Sequence, residues 1–385
     1  MAWFCPLIVE EQAAIAALTT EYPIDKDDYL QVHKLRGDRN IYTFGKIRNY
    51  NVVICRPSDT RAGPIVAAMA WHDLQRSFPN IEHFLIVGIA GGAPNIRSKP
   101  DIRLGDVVIG LQDKAHPGMI QIDAGWQKQS FESTINICPP PPQLQMFAER
   151  LINWPNERHS KRSKQFREIA DELLAKLGWV YPGMPLDCSF QANSKCRNSE
   201  LCPEACQKHC KQMDRPLRDS GFQRIYGGLI CSSSKVIKDA SYRDKVVAIN
   251  NREGKAQILA FETEGYGIAS QIQCLNIRGI SDYSDSHKNN RWQPYAAVNA
   301  AAAAKIIAHL LVEQLSESHT DHDLDSPLSN YTQSSILRNT EGQDPNSRFG
   351  RPWISKGVSD LQSDEEAALK CGSSMRRQPI LYDRP

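Results

Sequence analysis

Short apolar runs that stop at glycine or at a carboxylate, separated by stretches of helical periodicity, restrict this chain's fold more than any other feature. Phe84 to Val87 is one such run. It stops at Gly88, Gly91 and Gly92, as a buried strand does before a tight loop. Asp106 to Leu111, Ile225 to Ile230, Gln257 to Glu262 and Leu275 to Ile280 have the same character, and the last leads into Ser281-Asp282. Asn40 to Arg56 reads as two short strands joined by a turn at Ile47 to Asn51. Between them, Glu10 to Thr20, Ile65 to Phe78, and Gln143 to Leu177 with a charged loop inside it carry helical patterns. Ala296 to Leu315 lacks Gly and Pro and puts Ile306, Ile307, Leu310 and Leu311 on one face, as a closing helix would. This alternation predicts an α/β fold with a largely internal mixed sheet.

The 385 residues suffice for one large domain or two ordinary ones. Residues 1–315 read as one domain, interrupted by a Cys- and charge-rich insertion at 186–217. From 316 to 385 Ser, Asp, Asn, Gln, Gly and Arg dominate, and the expectation is a polar, disordered tail. With 46 basic against 44 acidic residues, the bulk charge points to neither nucleic acid nor an anionic membrane. No apolar run reads as long enough, at roughly 20 residues, to cross a bilayer, and Met1 to Glu10 does not read as a signal peptide. Eleven cysteines without an export signal suggest a reducing, cytoplasmic setting.

Four clusters could hold chemistry. Leu85 to Ala93 runs a strand into small residues, which let the backbone approach a ligand at a strand's carboxyl end; a plain tight turn fits as well. In Phe261-Glu262-Thr263-Glu264-Gly265, a glutamate at a strand end suits the vicinal hydroxyls of a ribose, or both glutamates are solvated at a helix start. Arg278 to Asp285 delivers Asp282 into a loop, either as a catalytic acid or as a turn or N-cap residue. Glu10-Glu11 sits at a strand-to-helix junction, where a carboxylate either activates water or is an exposed first-turn residue.

Taken in order, these clusters resemble the purine nucleoside phosphorylase and nucleosidase superfamily, in particular the domain at the N-terminus of many fungal immune-receptor-like proteins. The likeness covers Phe4 to Leu315 and rests on Leu7 to Leu18, Leu85 to Pro94, Asp101 to Gly110, Tyr226 to Asp239, Phe261 to Ala269 and Arg278 to Ala297. It implies a three-layer fold with a central mixed twisted sheet flanked by helices, assembled as a homo-oligomer. It also implies hydrolysis of a purine nucleoside or nucleotide, without cofactor or catalytic metal. Asp282 matches the acid that protonates, or hydrogen-bonds to, purine N7, which implies a carboxyl kept protonated or proton-sharing by burial. Glu10 matches the glutamate that positions water, with Glu11 the alternative register. Glu264 matches the ribose-binding residue, with Glu262, Thr263 and Ser281 beside it. Val236 and Ile237 match apolar contacts to the base, and Ala90 and Gly91 its backbone border.

Ile86 and Ile89 occupy the places where phosphorylases of this resemblance carry phosphate-binding arginine and serine, which favours water as acceptor over phosphate. Arg56 and Arg61 are candidate contacts to a phosphate, including a 5′-phosphate, or ordinary surface arginines. Thr263 replaces the family's methionine, and Ser233 and Ser234 replace a glycine followed by Asn or Asp, which puts base selectivity in question. Cys196, Cys202, Cys206 and Cys210, or three of them with His209, form a candidate structural zinc site; the alternative is a cysteine-bearing loop. His287 is either a second catalytic group, a loop brace or a subunit contact. Two other functions compete with hydrolysis: phosphorolysis, and a catalytically inactive nucleotide-sensing or oligomerising module.

Overall fold

This computed structural model describes residues 1–22, 34–59, 61, 63–94, 100–113, 116–127, 131–133, 136–153, 161–196, 200, 202–216, 218, 223–250 and 257–321. Strand β1 (Ala2–Phe4) leads into helix α1 (Ile8–Ala17), followed by β2 (Thr20–Glu21), β3 (Asn40–Ile47) and β4 (Tyr50–Pro57). Helix α2 (Pro64–Ser77) precedes β5 (Phe84–Gly92), β6 (Val107–Gly110) and β7 (Met119–Gln121), with a separate hairpin of β8 (Gly125–Gln127) and β9 (Phe131–Ser133). Helices α3 (Pro142–Ile152) and α4 (Lys161–Leu177) come before β10 (Ile225–Ser232) and α5 (Ala240–Asn250). The last elements are β11 (Ile258–Glu262), α6 (Gly265–Ala269), β12 (Leu275–Asp282) and α7 (Gln293–Asp321).

Ten strands form one mixed sheet in the order β11-β10-β6-β12-β5-β1-β4-β3-β2, with β7 beside β10. The central pairs β1–β5 and β5–β12 are parallel, whereas β12–β6 is antiparallel. Strand β11 also pairs antiparallel with the end of β5, through Ala260 opposite Gly92 and Phe261 opposite Gly91. The sheet therefore closes on itself around β5, β12, β6, β10 and β11. This brings the carboxyl ends of β5, β11 and β12 together at Gly91.

Strand β5 alternates as a strand covered on both faces must. Leu85, Val87 and Ile89 join a core built with the Ala-rich part of α7, whereas Phe84 and Ile86 join a second core with Trp71 and Leu74 of α2. Helices on both faces of a mixed sheet make the α/β architecture expected from the pattern and the three layers implied by the resemblance. The small residues Ala300 to Ala304 are fully buried in α7, so the helix axis lies close to the sheet. By length and composition Gln293–Leu315 is apolar enough to cross a bilayer, contrary to the expectation that no run is, but 89% of that window is buried inside the fold. It is the core helix of this domain.

Several boundaries differ from expectation. Strand β5 continues through Gly88 to Gly92, because β11 and β12 supply partners on both edges there. The sequence after Glu262 also reads as a helix through Cys274, but helix α6 is five residues long and ends at Ala269. The closing helix extends to Asp321, past the boundary expected at 315, and the polar tail from 322 onward lies outside the described residues.

Candidate active site

A cavity of about 160 Å³ lies at the carboxyl ends of β5, β10, β11 and β12, the position at which open α/β sheets bind ligands. Glu10, Ala90, Gly91, Val236, Ile237, Glu262, Thr263, Glu264 and Ser281 all line it. Asp282 is 5% exposed and does not line the cavity, but it is hydrogen-bonded to two residues that do, Ser281 and Lys288. The expected substrate-binding residues are thus brought to one place by four strand ends and one helix start.

Glu10 enters from the first turn of α1. Its Oε2 accepts a hydrogen bond from Leu7 N at 2.7 Å, and its Oε1 accepts one from Ile89 N at 2.7 Å. The first contact is half of a capping box, and the helix dipole favours a carboxylate there. Gly88 makes the second possible, because a Cβ at this position would lie 2.2 Å from Glu10 Oε1. Glu11 turns the other way and pairs with Arg56 at 2.5 Å. The junction therefore has one carboxylate aimed into the cavity and one engaged outside it.

Glu10 shares its surroundings with Glu262, Glu264 and the fully buried Arg278, which sequence reasoning did not single out. Arg278 Nη2 lies 2.5 Å from Glu262 Oε2, and its Nη1 lies 3.9 Å from Glu264 and 4.0 Å from Glu10. One guanidinium faces three carboxyl groups, so the cluster carries an excess of acid. Burial pushes Glu10 up to about 8, against the opposing pull of Arg278, with Glu264 adding to the rise. Burial also raises Glu264, again opposed by Arg278. Glu262 Oε2 further accepts from the backbone N–H groups of Glu264 and Gly265. It braces the loop, and Glu264, bonded by the Thr263 hydroxyl, is the more available of the pair.

Asp282 ends β12 after an irregularity in register. Ile280 pairs with Ala90 and Asp282 with Gly91, so Ser281 is an extra residue on that edge. Such bulges re-aim side chains beside functional sites. Asp282 Oδ1 accepts from Ser284 N at 2.9 Å, and its Oδ2 accepts from the Ser281 hydroxyl at 2.9 Å and from Lys288 Nζ at 2.5 Å. Gly91 is required here, since a Cβ would stand 2.1 Å from Ser284 Oγ and 2.7 Å from Asp282 Oδ1. Lys288, in the loop after β12, also lines the cavity. This changes one expectation. Asp282 is not a carboxyl left alone in an apolar wall, because an ammonium sits against it.

The far wall is apolar, formed by Val236, Ile237 and Phe261. The serine run before Val236 is held by Asp123, whose Oδ2 accepts from Ser233 Oγ, Ser234 N and Ser234 Oγ. Asp123, remote in sequence, thus fixes the loop in place of the missing glycine-amide pair. Arg56 and Arg61 do not line the cavity. Arg56 is tied to Glu11, and Arg61 is an 84%-exposed partner of Asp59, because each has a nearer carboxylate than any group in the site. The cysteine cluster and His287 lie outside the cavity wall.

No family model matches the chain. A nucleotide-binding leucine-rich repeat (NLR)-like protein of Hyaloscypha variabilis is 32% identical over 324 residues, covering 83% of this chain. The chain spans only 30% of the length of that relative. Solved structures similar to it include the futalosine hydrolase of Helicobacter pylori strain 26695 (TM-score 0.46, 14% identity, 80% of this chain and 97% of that one). They also include the 5′-methylthioadenosine/S-adenosylhomocysteine nucleosidase of Neisseria meningitidis in complex with methylthio-immucillin-A (TM-score 0.47, 15% identity, 80% and 96%). The corresponding nucleosidase of Colwellia psychrerythraea 34H in complex with adenine matches at TM-score 0.47 and 15% identity, over 80% and 95%.

Proposed function

We propose that this chain is a purine nucleosidase, which hydrolyses the N-glycosidic bond of a purine nucleoside or nucleotide to the free base and ribose or ribose phosphate. The observation that carries this reading is the convergence of Glu10, Glu264 and Lys288, the last paired with the buried Asp282, on one cavity with an apolar wall. Cavities of about 150 Å³ hold a benzene ring, so 160 Å³ suits a flat heterocycle.

The base lies against Val236, Ile237 and Phe261, with N7 toward Asp282. The ribose hydroxyls donate to Glu264, an acceptor with oxygens to spare. As the C1′–N9 bond breaks, its electron pair stays with the purine and a proton from the Asp282–Lys288 pair passes to N7. A neutral purine leaves more readily than its anion. A water held by Glu10 forms the new bond to C1′ and gives its proton to the Glu10 carboxylate. Positive charge grows on the sugar during this step, and three carboxyl groups against one guanidinium stabilise it electrostatically.

Water is the favoured acceptor because aliphatic Ile89 lines the cavity and Arg56 and Arg61 do not. A second reading, a module that binds nucleotide without turnover, draws on the NLR-like relative, of which this chain spans a minor part. Two variants test the chemical reading. Asp282→Asn and Lys288→Met should each lower kcat by about 10²–10⁴-fold, the usual contribution of a positioned acid, with substrate Kd changed only a few-fold. Undiminished kcat in both would overturn the assignment, and wild-type binding without any base release would favour the sensing module.

A further inference from the structure

The insertion folds differently from the helix that its four-residue cysteine spacing suggests. Among its described residues it forms a short 3-10 turn, Cys206–Lys208, and a bridge between Phe190 and Gln212. His209 is exposed and the Cys210 thiol turns to the Lys195 carbonyl, so the imidazole expected from the local sequence is not in the cluster. A different imidazole is. His287, from the loop after β12, has a ring nitrogen within 4.8 Å of both the Cys196 and Cys206 thiols. Those sulfurs are 3.2 Å apart, and Cys202 is buried in the same cluster.

Both ring nitrogens of His287 are buried and have no hydrogen-bond partner among the described residues, and the residue is 6% exposed. An orphaned buried polar group loses its hydration without recompense, and imidazoles are seldom left in that state. The ring is nevertheless held firmly, stacked on Phe190 with centroids 4.1 Å apart. Asp285 Oδ1 lies 3.6 Å from Nδ1. A carboxylate on that side is the usual partner of a metal-bound histidine and leaves Nε2 for the metal.

The geometry points to a structural zinc site built on the thiolates of Cys196 and Cys206 and the imidazole of His287, with the neighbouring buried Cys202 supplying the fourth ligand. Tetrahedral zinc with bonds near 2.3 Å separates its sulfurs by roughly 3.8 Å; the observed 3.2 Å is shorter than this but well beyond the ~2.05 Å of a disulfide, so the thiols need only part slightly to admit the ion. Three sulfurs and one nitrogen close the coordination shell, leaving no open position for chemistry. The site would join the insertion to the loop that carries Asp282 and Lys288. Cys196 N already donates to Ser286 Oγ at 3.0 Å, and Arg291 pairs with Glu204 across the same junction. The metal therefore has a positioning role, since it fixes the segment on which the proton donors sit.

Elemental analysis of the full chain, purified without chelator, should give roughly one zinc per chain. Cys196→Ser, Cys206→Ser and His287→Ala should each reduce this by about tenfold or more, in line with loss of a ligand, whereas Cys188→Ser and His209→Ala keep it. Ligand variants that fail to fold are bypassed in the wild-type protein: cobalt(II) should substitute with thiolate charge-transfer absorption, and a mercurial should release the metal. Metal-free wild-type protein, whether its thiols are free or Cys196 and Cys206 are joined in a disulfide, would overturn the site. Zinc retained in His287→Ala would do the same.

Discussion

Replacing Glu10 with glutamine probes the water-activating role and the buried acid cluster together. Burial lifts this carboxyl from 4.5 to about 8. The gap corresponds to roughly 5 kcal/mol against the carboxylate in the folded protein. The folded chain thus keeps a proton that the unfolded chain has released. Glu10's contribution to stability is complete below pH 4.5 and is lost as pH rises through about 8. Glutamine has no charge to bury, so this slope should vanish. It does leave Leu7 N or Ile89 N facing an amide NH₂ where an oxygen stood, at about 1–3 kcal/mol. The variant should therefore be less stable than wild type below pH 4.5 and a few kcal/mol more stable above pH ~8, by urea unfolding. Catalysis should move the other way. Glu10 must be ionised to accept a proton, so wild-type kcat/KM should climb about tenfold per pH unit until roughly pH 8. Glu10→Gln should lie about 10²–10⁴-fold lower and lack that limb. Base release followed by chromatography across pH measures both. A variant with the wild-type rate and the wild-type limb would refute the reasoning.

Three further outcomes follow from the same geometry. Arg278→Leu leaves three buried carboxyl groups without their cation and should cost about 3–5 kcal/mol in denaturant unfolding, more at higher pH as those groups ionise. Gly91→Ala puts a methyl into Ser284 and Asp282, so it should lower kcat and destabilise by about 1–3 kcal/mol in thermal melts. Arg56→Met should leave kcat/KM about the same with and without phosphate, because its guanidinium is held by Glu11 rather than by the cavity; a loss confined to phosphate-containing buffer would return Arg56 to the site.

Much of the fold is legible in the sequence because strand and helix periods differ. The runs Leu275–Ile280 and Asn40–Arg56 announce themselves by composition and by the turn between Ile47 and Tyr50. The short strands β2 and β7 do not, since two or three residues carry no period. Within the site, glycines at 88 and 91 signal close approach, but only the fold shows what approaches: Glu10 and Asp282. Glu264 and Glu10 are visible as carboxylates at strand ends or helix starts. Arg278 and Lys288 are not, because their roles depend on partners from other segments. A signal for Arg278 does exist, a cation inside an otherwise apolar strand that must find a buried counter-charge. His287 illustrates the same limit, since the neighbouring thiols of Cys196 and Cys206 lie about eighty to ninety residues upstream in the chain.

The most direct measurement is free base released from adenosine, inosine, AMP and ATP, resolved by chromatography in buffer with and without phosphate. The account predicts release from at least one of them at a rate that phosphate does not change, and its loss in Asp282→Asn. Release that requires phosphate, or none from any substrate despite measurable binding, would contradict it.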